Sequence, residues 1–406
     1  MTSKPSLQVS GRRVCLLIGQ LGLGGTEKQV ALLASGLVRS GIDTSVLVLF
    51  AGGPHEETLR SAGVPVIHVR CPRLRHGVGP LPPNATALDR VVRGSRLAAR
   101  TVYKLPVALI AVLRLLSWLR RERPAVLHAF LLHSYLIAAP AARLARIPVL
   151  VAGRRSLGDR HRDRPFMLAL IRLANRLTDL IIANAHAVAY DTQHVEGKSV
   201  RRIATVYNGL AEAAFEPVPA APLAAAGPVV LCVANLIRYK GHHHLLDACA
   251  LLRDRGVAGT LVLVGDGPER ERLERQAATL SIDVRFLGHR TDIAELLARA
   301  DVCVLPSLTE GLSNAVMEAM AAGKAIVATN VGGTGELLRD GRGVLVPPGD
   351  AEALARAISR VLRDPELSAS LRTRSREWAR SHLRADEMVQ RHIELYTGLL
   401  EAECAA

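Results

Sequence analysis

The chain has 406 residues, of which 49% are apolar and 22% charged, a composition that excludes a disordered or fibrous protein. The length exceeds one ordinary core and fits two domains of roughly 150–200 residues each. The net charge of +15 admits nucleic acid, anionic lipid or an anionic substrate as partner, but no aromatic residues interleave with the charges and no zinc-finger or RNP-like motif appears, so nucleic acid is not expected.

Met1 to Arg13 is polar, and the apolar run Val14–Ile18 is too short for a secretory leader. No later stretch approaches the roughly 20 apolar residues of a spanning helix. The six cysteines include no CxxC pair, and Cys15, Cys232 and Cys303 sit in apolar runs, as reduced core thiols do. A reducing, cytoplasmic setting is expected, with no disulfide framework and no zinc site.

Short β-branched runs alternate with amphipathic segments, the mark of a parallel α/β sheet. Val14–Ile18 reads as the first strand, Thr26–Ser40 as a helix capped by Gly41, and Thr44–Phe50 and Val66–Val69 as the next strands. Residues 72–123 form a basic insert, with eleven Lys or Arg against Asp89 and Glu122. Within it, Leu105–Leu119 is apolar nearly all round, consistent with a buried helix or with one lying in a membrane interface. Ala125–Ala129, Val149–Ala152 and Leu180–Asn184 continue the strand series. Ala211–Pro228 is rich in Ala and Pro without apolar periodicity and reads as an interdomain linker. A second series follows, with strands at Val229–Ala234, Thr260–Val264, Val284–Leu287, Val302–Pro306, Ala325–Thr329 and Val344–Val346, and a last helix at Glu387–Leu400. The expected division is an N-terminal domain over 1–212, a linker over 213–228, a C-terminal domain over 229–382, and a terminal helix over 383–406 packing back on the first domain. Two such α/β halves suggest Rossmann-like domains facing across a cleft, with ligand loops at the strand carboxyl ends.

Those loops carry the chemistry. After Val302–Leu305 the chain reads Pro306-Ser307-Leu308-Thr309-Glu310-Gly311-Leu312-Ser313-Asn314-Ala315-Val316-Met317-Glu318. Ser313 suits a helix N-cap and Gly323 the residue past its end. The free N–H groups from Asn314 to Val316 would then face the cleft, where a helix start binds phosphate. Glu310 and Glu318 should meet opposite ends of one ligand, as bidentate acceptors for hydroxyl pairs, or be two ordinary surface glutamates. Arg238 and Lys240, in Asn235-Leu236-Ile237-Arg238-Tyr239-Lys240-Gly241, offer positive charge for a diphosphate, or form a solvated basic turn. Gly265-Asp266-Gly267-Pro268 reads first as a tight turn, and Gly288-His289-Arg290 and Val331-Gly332-Gly333-Thr334-Gly335-Glu336 follow later strands.

In this order, Lys240-Gly241, Gly265-Asp266-Gly267-Pro268, Phe286-Leu287-Gly288, Pro306-Ser307, Glu310-Gly311 and the E-x7-E pair resemble the family 4 retaining glycosyltransferases of GT-B fold, densely over 228–350 and more loosely over 12–215. The resemblance implies that Glu310 contacts the donor sugar and Glu318 the ribose hydroxyls. It implies that Lys240 neutralises the diphosphate, and that the loop at Gly288, His289 and Arg290 holds the base. The family's Arg about five residues before the Lys is here Asn235, with Arg238 nearer by.

In the first half, Gly22-Leu23-Gly24-Gly25-Thr26-Glu27 lacks the last glycine of a dinucleotide fingerprint. It resembles the family's Gly-Gly-x-Glu segment beside the diphosphate, or is a simple strand–helix turn. His128 and His133 are candidates for the acceptor side or for structural histidines. Arg154 and Arg155 stand where many relatives carry a His near the reacting carbon, which implies a negatively charged substrate or an Arg steadying the leaving phosphate.

The expected activity is retaining transfer from a UDP- or GDP-sugar to a glycan, lipid-linked or small-molecule acceptor. No metal and no cofactor is required. The site is cytoplasmic, with peripheral contact to an anionic membrane through 72–123. The rivals are a sugar-nucleotide epimerase, a pyridoxal-dependent phosphorylase on the same fold, and a non-catalytic nucleotide-sugar sensor.

Overall fold

The computed structural model describes residues 12–71, 107–158, 164–225, 227–257 and 259–405. Two parallel sheets form. The first contains β1 (Val14–Gln20), β2 (Thr44–Ala51), β3 (Val66–His68), β4 (Val126–Phe130), β5 (Val149–Arg154), β6 (Leu180–Ala183) and β7 (Ile203–Thr205), in the order β3-β2-β1-β4-β5-β6-β7. The second contains β8 (Val229–Val233), β9 (Thr260–Val264), β10 (Val284–Phe286), β11 (Val302–Leu305), β12 (Ala325–Thr329) and β13 (Val344–Val346), in the order β10-β9-β8-β11-β12-β13.

The strands are runs of Val, Leu, Ile and Ala buried on both faces. All five residues of β4 are buried, as are all five of β9 and of β12. Each sheet therefore needs a helical layer on either side. In both sheets the chain reverses its direction of travel once, between β1 and β4 and between β8 and β11. Loops leaving the two strands at such a point turn to opposite faces and leave a crevice at their carboxyl ends.

Helix Gly25–Arg39 covers one face of the first sheet. Against it packs the last helix, Ala385–Cys404, whose Met388, Val389, Ile393, Tyr396 and Leu400 join the same core cluster. The other face is covered by a helix at 107–122 and by helices Leu132–Leu144 and Pro165–Arg176. The 107–122 helix is two-sided. Ala111, Leu115, Leu116 and Leu119 enter the core, while Leu109, Ile110 and Leu113 are exposed. Residues 72–106, where most of the basic insert lies, are outside the described residues.

The Ala- and Pro-rich stretch is held rather than free. Phe215 and Ala221 are buried in the second domain's cluster, Ala221 N–H donates to Glu295 O at 2.9 Å, and the Phe215 carbonyl accepts from Arg376 at 3.0 Å. The single aromatic of the stretch anchors it, a feature that apolar periodicity does not report.

Candidate active site

The turn Arg238–Lys240 leaves β8, and the loop 306–313 leaves β11, so both spring from the crevice of the second sheet. Leu308 N–H donates to Tyr239 O at 2.7 Å, which fixes one loop on the other. Lys240 Nζ is thereby bonded to Glu310 Oε1, and the buried Ser307 donates to the same oxygen at 2.8 Å. Both partners are largely buried, with side-chain exposures of 17% for Lys240 and 8% for Glu310, so the pair is shielded from solvent screening. Arg238 and Asn235 are exposed on the turn. Among the described residues, Lys240 is the cation bonded to Glu310.

Ser313 caps helix Asn314–Ala321, its hydroxyl accepting from Val316 N–H at 3.3 Å. Gly323, just past the helix, has φ of 63°. Gly311 sits against the first domain, where a Cβ would lie 2.2 Å from the Arg155 carbonyl oxygen, so only glycine permits the approach. Leu312 turns its side chain into the core of the second domain. Its expected place at the donor is thus limited to its backbone, because the loop uses this residue as its anchor.

The second carboxylate faces the other domain. Lys28 Nζ lies 2.5 Å from Glu318 Oε1. Asn314 Nδ2 donates to Gly25 O at 3.1 Å, and Asn208 Nδ2 donates to Asn314 Oδ1 at 2.8 Å. Gly24 and Gly25, at the crevice of the first sheet, are thus brought to the start of the capped helix. Beside the Lys28–Glu318 bond lies a cavity of about 760 Å³, whose lining includes Lys28, Leu32, Phe215, Ile293 and Glu318. A further tie joins the domains at Glu336. Its carboxylate accepts from the N–H groups of His186 and Ala187, which open helix His186–Glu196, and from Tyr207 Oη at 3.0 Å.

Other glycine loops serve packing. Gly265, at φ of 133°, would place a Cβ 2.2 Å from Ala234 O, and its N–H donates to Gly288 O at 2.8 Å. The Gly265–Pro268 turn is therefore a backbone clamp on the loop before Lys240. His289 and Arg290 are exposed, and Arg290 is paired within its own loop to Asp292 at 2.6 Å.

The first-domain candidates divide. Arg154 is buried among Glu196 at 3.1 Å, Asn175 Oδ1 at 3.0 Å and the Tyr135 ring at 4.4 Å. This corrects its expected acceptor-side position: strand alternation points it into the helical layer. His128 is also corrected. It is fully buried, bonded to Tyr396 Oη at 2.8 Å and stacked on Phe130 and His392, and burial holds its pKa well below the ordinary value. His133 is exposed at the start of helix Leu132–Leu144. Arg155 donates to Asn208 Oδ1 and lies over the Phe130 ring at 5.1 Å. Burial lowers its pKa to about 10, and no carboxylate is bonded to it among the described residues. The sequence reading missed Lys28, Tyr207, His392 and Tyr396. Lys28 alone carried a signal, one residue beyond the Gly-Gly-x-Glu segment on the first turn of its helix.

A model of the family described as Glycosyltransferase Family 4 matches residues 23–213, and one described as Glycosyl transferases group 1 matches 227–364. The chain is 31% identical over 384 residues to a glycogen synthase of Mycobacterium tuberculosis, covering 90% of this chain and 87% of that one. It is 30% identical over 279 residues to the lipopolysaccharide core biosynthesis glycosyltransferase LpsE of Rhizobium meliloti, covering 68% and 76%. The chain is a family 4 glycosyltransferase. The fold of this glycosyltransferase is GT-B: HepE of Anabaena, solved with UDP-glucose, superposes with a TM-score of 0.76 at 23% identity, covering 95% of this chain and 100% of HepE. The glycosyltransferase uses a nucleotide-sugar donor, and the epimerase, phosphorylase and sensor readings give way to sugar transfer.

Proposed function

We propose that the enzyme transfers a hexosyl group, with retention at the anomeric carbon, from a UDP- or GDP-sugar to a glycan, lipid-linked or small-molecule acceptor. The observation that carries this reading is the Lys240–Glu310 pair at the crevice of the second sheet, beside a helix start capped by Ser313. Departure of the nucleoside diphosphate builds negative charge. Lys240, released from Glu310, and the N–H groups of Asn314 to Val316 stabilise it. Glu310, steadied by Ser307, orients the sugar hydroxyls, so much of the rate comes from positioning. Glu318 takes the ribose in place of Lys28. The adjoining cavity has the size of a small-ligand site and receives the nucleoside.

Arg155 belongs to the acceptor side. A half-buried cation that no carboxylate among the described residues engages favours a substrate that brings negative charge. The similarity to LpsE, a lipopolysaccharide core biosynthesis glycosyltransferase, favours a glycan acceptor, and the UDP-glucose bound by HepE favours a UDP-sugar. The domain division is 1–212, 213–228, 229–382 and 383–406. The enzyme works in the cytoplasm, on the inner face of the membrane, with 72–123 in contact with anionic lipid. No described helix is long and apolar enough to cross a membrane.

The test is transfer by Glu310→Ala and Lys240→Ala with a panel of UDP- and GDP-sugars, and the anomeric configuration of the product by NMR. Unchanged transfer in both variants overturns the site, and an inverted product overturns retention.

A further inference from the structure

Helix Pro165–Arg176 presents two apolar faces. One carries Ile171 and Ala174 into the first domain's core. The other carries Phe166, Leu170 and Leu173, which are 71%, 37% and 55% exposed. Their spacing of four and three residues aligns them in one stripe along the helix. Three large apolar side chains in a row on a solvated face mark a contact surface. Arg164, Arg172 and Arg176 flank the stripe and are exposed.

Charge identifies the partner. The helices that cover this face of the sheet, at 107–122, Leu132–Leu144 and Pro165–Arg176, together hold six arginines and one acid; Glu122 is bonded to Arg13 and Arg143 to Asp179, which still leaves the face positive. Leu109, Ile110 and Leu113 add a second exposed apolar row on the same face. Apolar side chains framed by arginines match the boundary between acyl chains and anionic headgroups. A second copy of the chain would set this positive face against itself. The helix also begins at the carboxyl edge of the first sheet, after β5, whose end bears Arg155. The Phe166 end of the stripe therefore lies on the cleft side of the domain.

We propose that the Phe166–Leu170–Leu173 stripe docks the enzyme on an anionic lipid surface, holding the cleft against the headgroups. The inference rests on the reading, under the proposed function, that the enzyme works on the inner face of the membrane, but needs no contribution from 72–106. The first experiment is flotation with vesicles of phosphatidylglycerol and phosphatidylcholine, against phosphatidylcholine alone. The full-length protein should bind the anionic vesicles only, and the triple variant F166S/L170S/L173S should bind them at least fivefold more weakly with an unchanged melting temperature. In the second, Phe166→Trp should gain an emission quenched by brominated anionic lipid, read as the difference from wild type. Absence of vesicle binding overturns the proposal. So does vesicle binding with Phe166→Trp unquenched, which assigns the contact to 72–123 alone. A dimer abolished by the triple variant overturns it in favour of self-association. Transfer to a water-soluble acceptor by the triple variant reports separately on the catalytic reading, and is expected to be unchanged.

Discussion

Lys28 and Glu318 meet across the cleft at 2.5 Å, one from the first turn of a first-domain helix and the other from the capped helix of the second domain. In the proposed donor site Glu318 is therefore held by a lysine that the ribose must displace. Lys28 is 53% exposed, so the bond contributes less than about 1 kcal/mol. Lys28→Ala should tighten nucleotide-sugar binding by up to about fivefold, as measured by calorimetry, whereas Glu318→Ala should weaken it. Weaker binding by Lys28→Ala would show that the lysine itself contacts the donor.

Lys240, Glu310 and Ser307 act as one unit because they share one carboxylate oxygen. Removing either charge leaves the other largely buried and unpaired. Each of Glu310→Ala and Lys240→Ala should lower kcat by about 10²–10³. The double variant should lose far less than the product of the two, since coupled groups are not additive. Ser307→Ala should cost less than either, and steady-state kinetics on the four proteins decides.

The adjacent arginines Arg154 and Arg155 should fail in different ways. Arg154→Ala strips Glu196 of its buried partner and should cost about 3–5 kcal/mol of stability by denaturant melts. Arg155→Ala breaks no ion pair among the described residues. It should leave the melting temperature nearly unchanged and raise KM for an anionic acceptor at least tenfold, and an equal effect on stability would place Arg155 with Arg154.

His128 and, on the last helix, His392 should make the first domain acid-sensitive. Burial lowers His392 to about 4, and lowers His128 well below the ordinary value of 6.5. A depressed folded pKa contributes stability that is full above the unfolded value and is lost as pH falls. Stability should therefore decline from about pH 6.5 down to about 4. His392→Phe should flatten that slope in melts at several pH values, and an unchanged slope would assign the acid sensitivity to other groups, such as His242, also lowered to about 4 by burial.

Glu336 ties the domains through three donors on the first domain. Glu336→Ala should leave the N–H groups of His186 and Ala187 unpaired and loosen the relation of the two halves. Faster amide exchange over 186–190 and a larger radius of gyration by X-ray scattering are the expected results, and no change in either would limit Glu336 to a local role.

Strand placement was legible to within about two residues, except for the half-buried edge strand β7 (Ile203–Thr205), which was missed. Val149–Ala152 became Val149–Arg154, and Thr260–Val264 was unchanged. A strand buried on both faces is an unbroken run of β-branched and aliphatic residues, and a chain must spell that out locally. Ser313 as N-cap was legible for the same reason, since the cap bonds within three residues of itself.

Which residues share a site was legible only where the loops of one sheet supply them. The sequence by itself determined two parallel α/β halves, the capped helix after β11 and the residue types of the proposed donor site. Only the tertiary structure decided that Arg154 faces inward while Arg155 does not, that Leu312 is an anchor, that His128 lies under Tyr396, and that Lys28 holds Glu318. Each of these joins residues that are distant in the chain, 268 positions apart for His128 and Tyr396 and 290 for Lys28 and Glu318. Local propensity and spacing fix the elements. The partner of a side chain is fixed by how the elements pack, and packing follows from the volume and charge of the whole chain.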